Sequence, residues 1–161
     1  MAAGRSIDPV AQFMLEHDHA LQQLVALNRA IRTLEEHGCT PAVLQRVDTA
    51  LEFIHEEVSV HNSREEDALF PVLERYVEGP TEVMRREHRI LQRRYAKLRK
   101  AADRLRTRPK SRPALRELVG SASAVVQLLV NHIHKENQIL FPLVRKFLTR
   151  DALREVARRM V

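Results

Sequence analysis

The sequence predicts an all-α fold, an up-down antiparallel four-helix bundle with a two-fold internal repeat and a short C-terminal helix. Three observations predict it. The chain has 161 residues with 44% hydrophobic content, only 4% aromatic residues, no Trp and 4 Gly, a leucine-, alanine- and arginine-rich balance that favours helices over sheets. Apolar residues recur at steps of three and four along long stretches. Those stretches are separated by short, well-marked breaks.

The elements follow in order. Asp8 and Pro9 read as helix cap and first helical residue, and Gly38 closes that helix. Thr40 and Pro41 repeat the start signal, and Pro71 predicts that the second helix ends or kinks before it. Val77 to Pro80 is a turn, with a third helix starting near Pro80 or Thr81. Thr107 to Pro113 is the next connection, the fourth helix runs from Pro113 towards Pro142, and a tail helix covers about 149–160. Length favours one domain over 1–161, with the bundle at about 8–148. Short loops between long helices predict antiparallel neighbours.

Composition bounds the function. The opening MAAGRSIDPV has no apolar leader segment, and no uncharged apolar run is read as reaching the ~18 residues of a membrane span. A cytoplasmic protein with no membrane partner is expected. Cys39 is the only cysteine, which excludes an internal disulfide and a thiolate metal cage. The net charge of +6 is uneven: from Arg85 to Arg112, thirteen Lys and Arg face only Glu87 and Asp103. Such a segment suits an acidic partner or nucleic acid, or is simply a solvated face. Its arginines and lysines fall off the apolar stripe of the third helix, and no aromatic residues or reading motif accompany them, so nucleic acid is disfavoured.

The apolar stripe of the second helix is Leu44, Val47, Leu51, Ile54, Val58, His61, Glu65 and Leu69; two of these are not apolar. Adding 71 to residue numbers takes His17 to His88, His61 to His132, Glu65 to Glu136 and Phe70-Pro71 to Phe141-Pro142, with no gap. The stripe maps onto Leu115, Leu118, Ala122, Val125, Leu129, His132, Glu136 and Leu140. Phe13, His17, Ala20, Leu24, Leu27, Ile31 and Leu34 map likewise onto Met84, His88, Leu91, Tyr95, Leu98, Ala102 and Leu105. Buried His and Glu are costly without partners. Four His and two Glu repeated in both halves point to metal ligation at His17, His61, Glu65, His88, His132 and Glu136.

Imidazole and carboxylate suit iron, zinc, copper or manganese, and six ligands suit two ions better than one tetrahedral zinc. Two histidines per ion, bridging Glu65 and Glu136 and a bridging oxygen leave one position open on each. The ferritin-like plan needs Glu-x-x-His twice. Glu52 and His55 supply it once, but Ser123 and Val126 stand at the corresponding positions. His19 and His134 fall off the seam, His37 and His55 have no repeat partners, Glu57 lies one turn before His61, where an extra ligand or an acceptor for a histidine N–H would stand, and Glu66 and Asp67 are expected to point outward.

Glu16-His17, His61-Asn-Ser-Arg-Glu65-Glu-Asp-Ala-Leu-Phe-Pro71, Glu87-His88 and His132-Ile-His-Lys-Glu136-Asn-Gln-Ile-Leu-Phe-Pro142 resemble the bacterial hemerythrin (HHE cation-binding) family. The resemblance spans about 8–148 and implies a carboxylate-bridged di-iron centre. It further implies dioxygen binding or sensing, iron handling, or responses to nitric oxide or oxidative stress. Oxygen-carrying hemerythrins have a fifth histidine on the third helix, where Met84 and Gln92 stand here, a turn either side of His88. The expected function is therefore a non-haem di-iron protein that binds or senses dioxygen or a related small oxidant, such as peroxide or nitric oxide. Its expected cofactor is two iron ions (Fe2+/Fe3+) with a bridging oxo or hydroxo group; manganese and zinc suit the same donors. The alternatives are a di-iron enzyme in peroxide removal or repair of oxidative and nitrosative damage, and a nucleic-acid-associated regulator. No acid–base constellation beyond the ligands argues for turnover, so binding is favoured over catalysis.

Overall fold

The computed structural model describes residues 7–161. The leader expectation rests in part on residues 1–6, which lie outside the described residues. Helices account for nearly all the rest, and no strand occurs among the described residues. Helix α1 is Pro9–His37. Helix α2 runs over 41–73, α-helical at Pro41–Phe53, Ser59–Arg64 and Phe70–Leu73 with wider π turns at Ile54–Val58 and Glu65–Leu69. Helix α3 is Thr81–Thr107. Helix α4 runs over 112–147, with a π turn at Glu136–Leu140, and the tail helix α5 is Arg150–Arg159.

The ends form where side chains satisfy backbone N–H groups that have no partner inside the helix. Asp8 Oδ1 accepts from Val10 N at 3.0 Å, Thr40 Oγ1 from Val43 N at 3.3 Å, Ser111 Oγ from Ala114 N at 3.2 Å and Thr149 Oγ1 from Ala152 N at 3.1 Å. Gly38 ends α1 at φ 85°, a conformation that L side chains rarely adopt, and donates its N–H to Leu34 O. The connections 38–40 and 108–111 are short, and α1 lies against α2 and α4 while α3 lies against α4.

Of the end or kink expected before Pro71 there is no end: both helices continue past their internal prolines. A proline removes an N–H and crowds the carbonyl four residues back. Here a π turn precedes each one, so Phe70 N–H reaches Glu65 O and Phe141 N–H reaches Glu136 O, and the helix continues beyond. Ala68, Leu69 and Phe70 are buried in succession, covered in part by the tail helix.

The core is divided into two apolar clusters. The larger includes Leu24, Leu27, Leu34, Val47, Leu51, Leu98, Leu105, Leu118 and Val125. The smaller gathers Val10, Phe13, Leu69, Phe70, Leu73, Met84, Leu140, Phe141 and Val144, and is covered by Ala152 and Val156 of the tail helix. Along α1, α2, α3 and α4 alike, the buried histidines separate the two clusters. Of the residues expected to face inward, Leu115 and Tyr95 are only half-buried, while Ala114, next to Leu115, is buried.

By length and composition the helix Arg112–Phe147 is apolar enough to cross a membrane, with a mean hydropathy of 1.2 over its best window. This corrects the expectation that no run comes near that length: Leu118 to His134 contains no Asp, Glu, Lys or Arg. In the fold, its Leu118, Ala122, Val125, Leu129 and Ile133 are core residues, and it carries the buried His132 and Glu136.

Leu27 and Leu98 are fully buried in the larger cluster, whereas Leu15 is 48% exposed. Leu27→Ala and Leu98→Ala are each expected to cost about 2–5 kcal/mol in chemical denaturation, and Leu15→Ala no more than about 0.5 kcal/mol. Equal losses at all three positions would contradict this core.

Candidate metal centre

Four histidines and two glutamates come from four helices into the gap between the clusters: His17 on α1, His61 and Glu65 on α2, His88 on α3, and His132 and Glu136 on α4. All six are buried, with Glu65 and Glu136 fully so. Every residue the sequence nominated as a ligand is therefore in one place.

Each histidine uses Nδ1 to donate outward. His17 Nδ1 donates to Asn137 Oδ1 at 2.7 Å and His61 Nδ1 to Glu16 Oε1 at 2.8 Å. His88 Nδ1 donates to Glu66 Oε1 at 2.9 Å and His132 Nδ1 to Glu87 Oε2 at 2.7 Å. A neutral imidazole has one donor and one acceptor nitrogen. With the hydrogen fixed on Nδ1, each Nε2 presents its lone pair to the interior.

Those lone pairs face one another. His17 Nε2 lies 3.0 Å from His61 Nε2, and His88 Nε2 lies 3.1 Å from His132 Nε2. Glu136 Oε1 is 2.9 Å from His17 Nε2 and 3.4 Å from His132 Nε2, and Glu65 Oε1 is in close contact with His61 Nε2. Both oxygens of Glu65 and Oε2 of Glu136 are buried with no hydrogen-bond partner. Acceptors gathered this way repel each other unless protons or cations stand between them. The ligand atoms form two sets of four, each within 4.8 Å: His17, His61, Glu65 and Glu136, and Glu65, His88, His132 and Glu136. The two carboxylates belong to both sets. Nitrogen and carboxylate donors with no thiolate fit divalent iron, zinc or manganese; Cys39 lies in the connection between α1 and α2.

In the absence of a metal, the charges on these groups are set by burial and by one another. Burial, with the charge of Glu136 beside it, pushes Glu65 well above the usual carboxylate range. Glu136 is held well below that range: burial acts to raise it, but Glu65 and the imidazoles of His132, His17 and His61 outweigh that. Burial acts to lower His132, yet Glu136, Glu65 and Glu87 raise it to about 9. His61 is likewise raised against burial, by Glu65, Glu136 and Glu16, whereas burial and the charge of His132 lower His88.

The sequence places the four acceptors on Nδ1 in the family motif without assigning them a partner, and it predicts that Glu66 points outward. The structure turns it onto His88 instead, with Oε1 2.9 Å from His88 Nδ1. The sequence did carry the signal. The offset of 71 that relates the ligands also relates Glu16 to Glu87 and Glu66 to Asn137. His19, His55, His134 and Glu57 are exposed. His19 and Glu57 line a cavity of about 30 Å3 that reaches His17, His61, His132 and Glu136. That is room for a water or two, or a small diatomic molecule.

The sequence matches the family described as the hemerythrin HHE cation binding domain over residues 8–144. The chain belongs to that family. Within it, this HHE domain is similar to the iron-sulfur cluster repair protein YtfE of Cronobacter sakazakii, at 28% identity over 78% of this chain and 59% of that protein. It is also similar to YtfE of Escherichia coli K12 and of Shigella boydii serotype 18, each at 27% identity over 78% of this chain and 60% of the relative. The chain thus spans about three-fifths of the length of the curated relatives it matches.

The metal-free centre makes stability depend on pH. His132 is raised from 6.5 to about 9, so its contribution is full below pH 6.5 and is lost as pH rises through about 9. Glu65, also raised, acts in the same direction, while Glu136, depressed, withdraws its contribution only in acid. In buffer with a chelator, the melting temperature of the HHE domain is expected to fall between pH 6.5 and 9. With a bound divalent metal, which needs deprotonated ligands, that fall is expected to disappear. A melting temperature that rises over this range in chelator would contradict the assignment.

Proposed function

We propose that this chain holds two non-haem iron ions between its helices and serves in the repair of iron centres damaged by oxidants or nitric oxide. The observation that carries the reading is the inward-facing set of acceptors: four Nε2 lone pairs and two buried carboxylates in two overlapping groups of four. His17 and His61 hold one ion, His88 and His132 the other, and Glu65 and Glu136 serve both. Similarity to iron-sulfur cluster repair proteins over 78% of the chain supports repair. The expected reading as an oxygen-binding or sensing protein uses the same ligands and has no comparable support from the relatives.

An iron pair, when bound, supplies electrons and open coordination positions for a small oxidant. The chain's own residues do the rest. Glu16, Glu66, Glu87 and Asn137 fix the tautomer and orientation of the imidazoles. Phe13, whose ring meets the edge of His61 at 5.1 Å, and Phe141, stacked on His17 at 5.3 Å, exclude water from one side. The cavity beside His17 and His61 admits only small molecules. Peroxide, nitric oxide or dioxygen fits that space, and iron held by these residues would be available as material for repair.

The same reading takes the helices as an up-down antiparallel four-helix bundle of two hairpins in one domain. It is supported by the offset of 71 that relates the ligands, their Nδ1 partners and the π turns at Glu65–Leu69 and Glu136–Leu140. Many of the cations of α3 are engaged with acids, among them Arg85 with Glu74, Arg104 with Glu117 and Arg106 with Asp48. That leaves less of the helix for nucleic acid than the sequence suggests.

Anaerobic loading with ferrous iron, desalting and elemental analysis is expected to give about two irons per chain. Glu65→Ala and Glu136→Ala are each expected to lower that number sharply. The loaded protein is expected to restore an iron-sulfur enzyme inactivated by nitric oxide or peroxide, and the Glu65→Ala protein is not. A chain that retains no iron overturns the metal assignment; one that retains iron but restores nothing overturns repair alone.

A further inference from the structure

Among the four Nδ1 acceptors, the two halves of the centre differ at one position. Glu66 and Asn137 occupy equivalent places, related by the offset of 71, and each accepts a hydrogen bond from a ligand-bearing histidine: Glu66 from His88, Asn137 from His17. The remaining two acceptors match, since Glu16 serves His61 and Glu87 serves His132. Each of these carries a nearby cation, Arg64 at 3.4 Å from Glu16 and Lys135 against Glu87. Glu66 makes no ion pair with Lys or Arg among the described residues; its one charged contact is His88. The His88–His132 side therefore has one uncompensated negative charge more than the His17–His61 side.

We propose that the Glu66/Asn137 difference makes the two metal positions unequal, so that the ion on His88 and His132 is held tightly and the ion on His17 and His61 is released first. A carboxylate on the N–H of an imidazole makes the other nitrogen a stronger donor, and an amide does so far less. Changing such a partner alters metal affinity about 10–100-fold. The cavity of about 30 Å3 touches His17, His61, His132 and Glu136, and a large groove between α2 and α3 meets His88, so both halves are reached from outside and the difference rests on the Nδ1 partners. The inference rests on the proposed iron site and specifies which ion is available for repair.

The test is release of ferrous iron from the anaerobically loaded chain to a coloured chelator, followed over time, with folding checked by circular dichroism. The wild type is expected to release iron in two phases of equal amplitude, differing at least about tenfold in rate. Asn137→Asp gives His17 a carboxylate and is expected to slow the fast phase towards the slow one, leaving the slow phase unchanged. Glu66→Gln removes the carboxylate from His88 and is expected to speed the slow phase alone. Mössbauer spectra of the half-depleted protein are expected to show a single environment in the wild type and two in Asn137→Asp. A single release phase in the wild type, or variants that shift both phases equally, overturns the proposal while leaving the iron site intact. Absence of bound iron would instead overturn the reading on which it rests.

Discussion

The structure depends on a concentration of imidazole nitrogens and carboxylate oxygens that only protons or cations can hold together. Six polar side chains occupy the middle of an apolar bundle, and their inward atoms are imidazole lone pairs and carboxylate oxygens. Uncompensated burial of such groups is destabilising. Nothing in the apolar clusters on either side answers them, since those clusters are built from Leu, Val, Ala and Phe side chains. In the proposed reading two cations replace the repulsion with four attractions each, and the energy of folding and the energy of metal binding become one quantity.

The acceptor set is made rigid from outside. Four helices each place a histidine with its Nδ1 hydrogen already committed to Glu16, Glu66, Glu87 or Asn137, so that Nε2 can only face inward. Three of these partners are carboxylates, and the charges on Glu16 and Glu87 are moderated by Arg64 and Lys135. The π turns at Glu65 and Glu136 belong to the same arrangement. They reconcile the helix with Pro71 and Pro142, and each begins at a carboxylate of the centre, Glu65 or Glu136. Wide turns of this type are frequent at functional sites.

The tail helix has a mechanical part. Ala152 and Val156 close the smaller apolar cluster, and Arg75 near the end of α2 meets Glu155 through two hydrogen bonds of 3.0 and 2.9 Å. Surface pairs of this sort add little stability, so the closure rests on the apolar contacts. The result shields the Phe13, Phe70 and Phe141 end of the centre. The opposite side, beside His19 and Glu57, keeps a small cavity.

By itself the sequence determined the helical class, the helix starts at Asp8, Thr40 and Thr149, and the set of buried histidines and glutamates. These are consequences of local periodicity, capping chemistry and a repeat that can be counted along the chain. Tertiary structure alone decided the continuation of α2 past Pro71, the turning of Glu66 onto His88, and the pairing of Glu16 with His61 rather than with its neighbour His17. Each depends on a contact between helices or on a departure from the regular α-helical turn. Neither is encoded in the spacing of residues on one helix, because a side chain's partner across the bundle is fixed by how the helices meet.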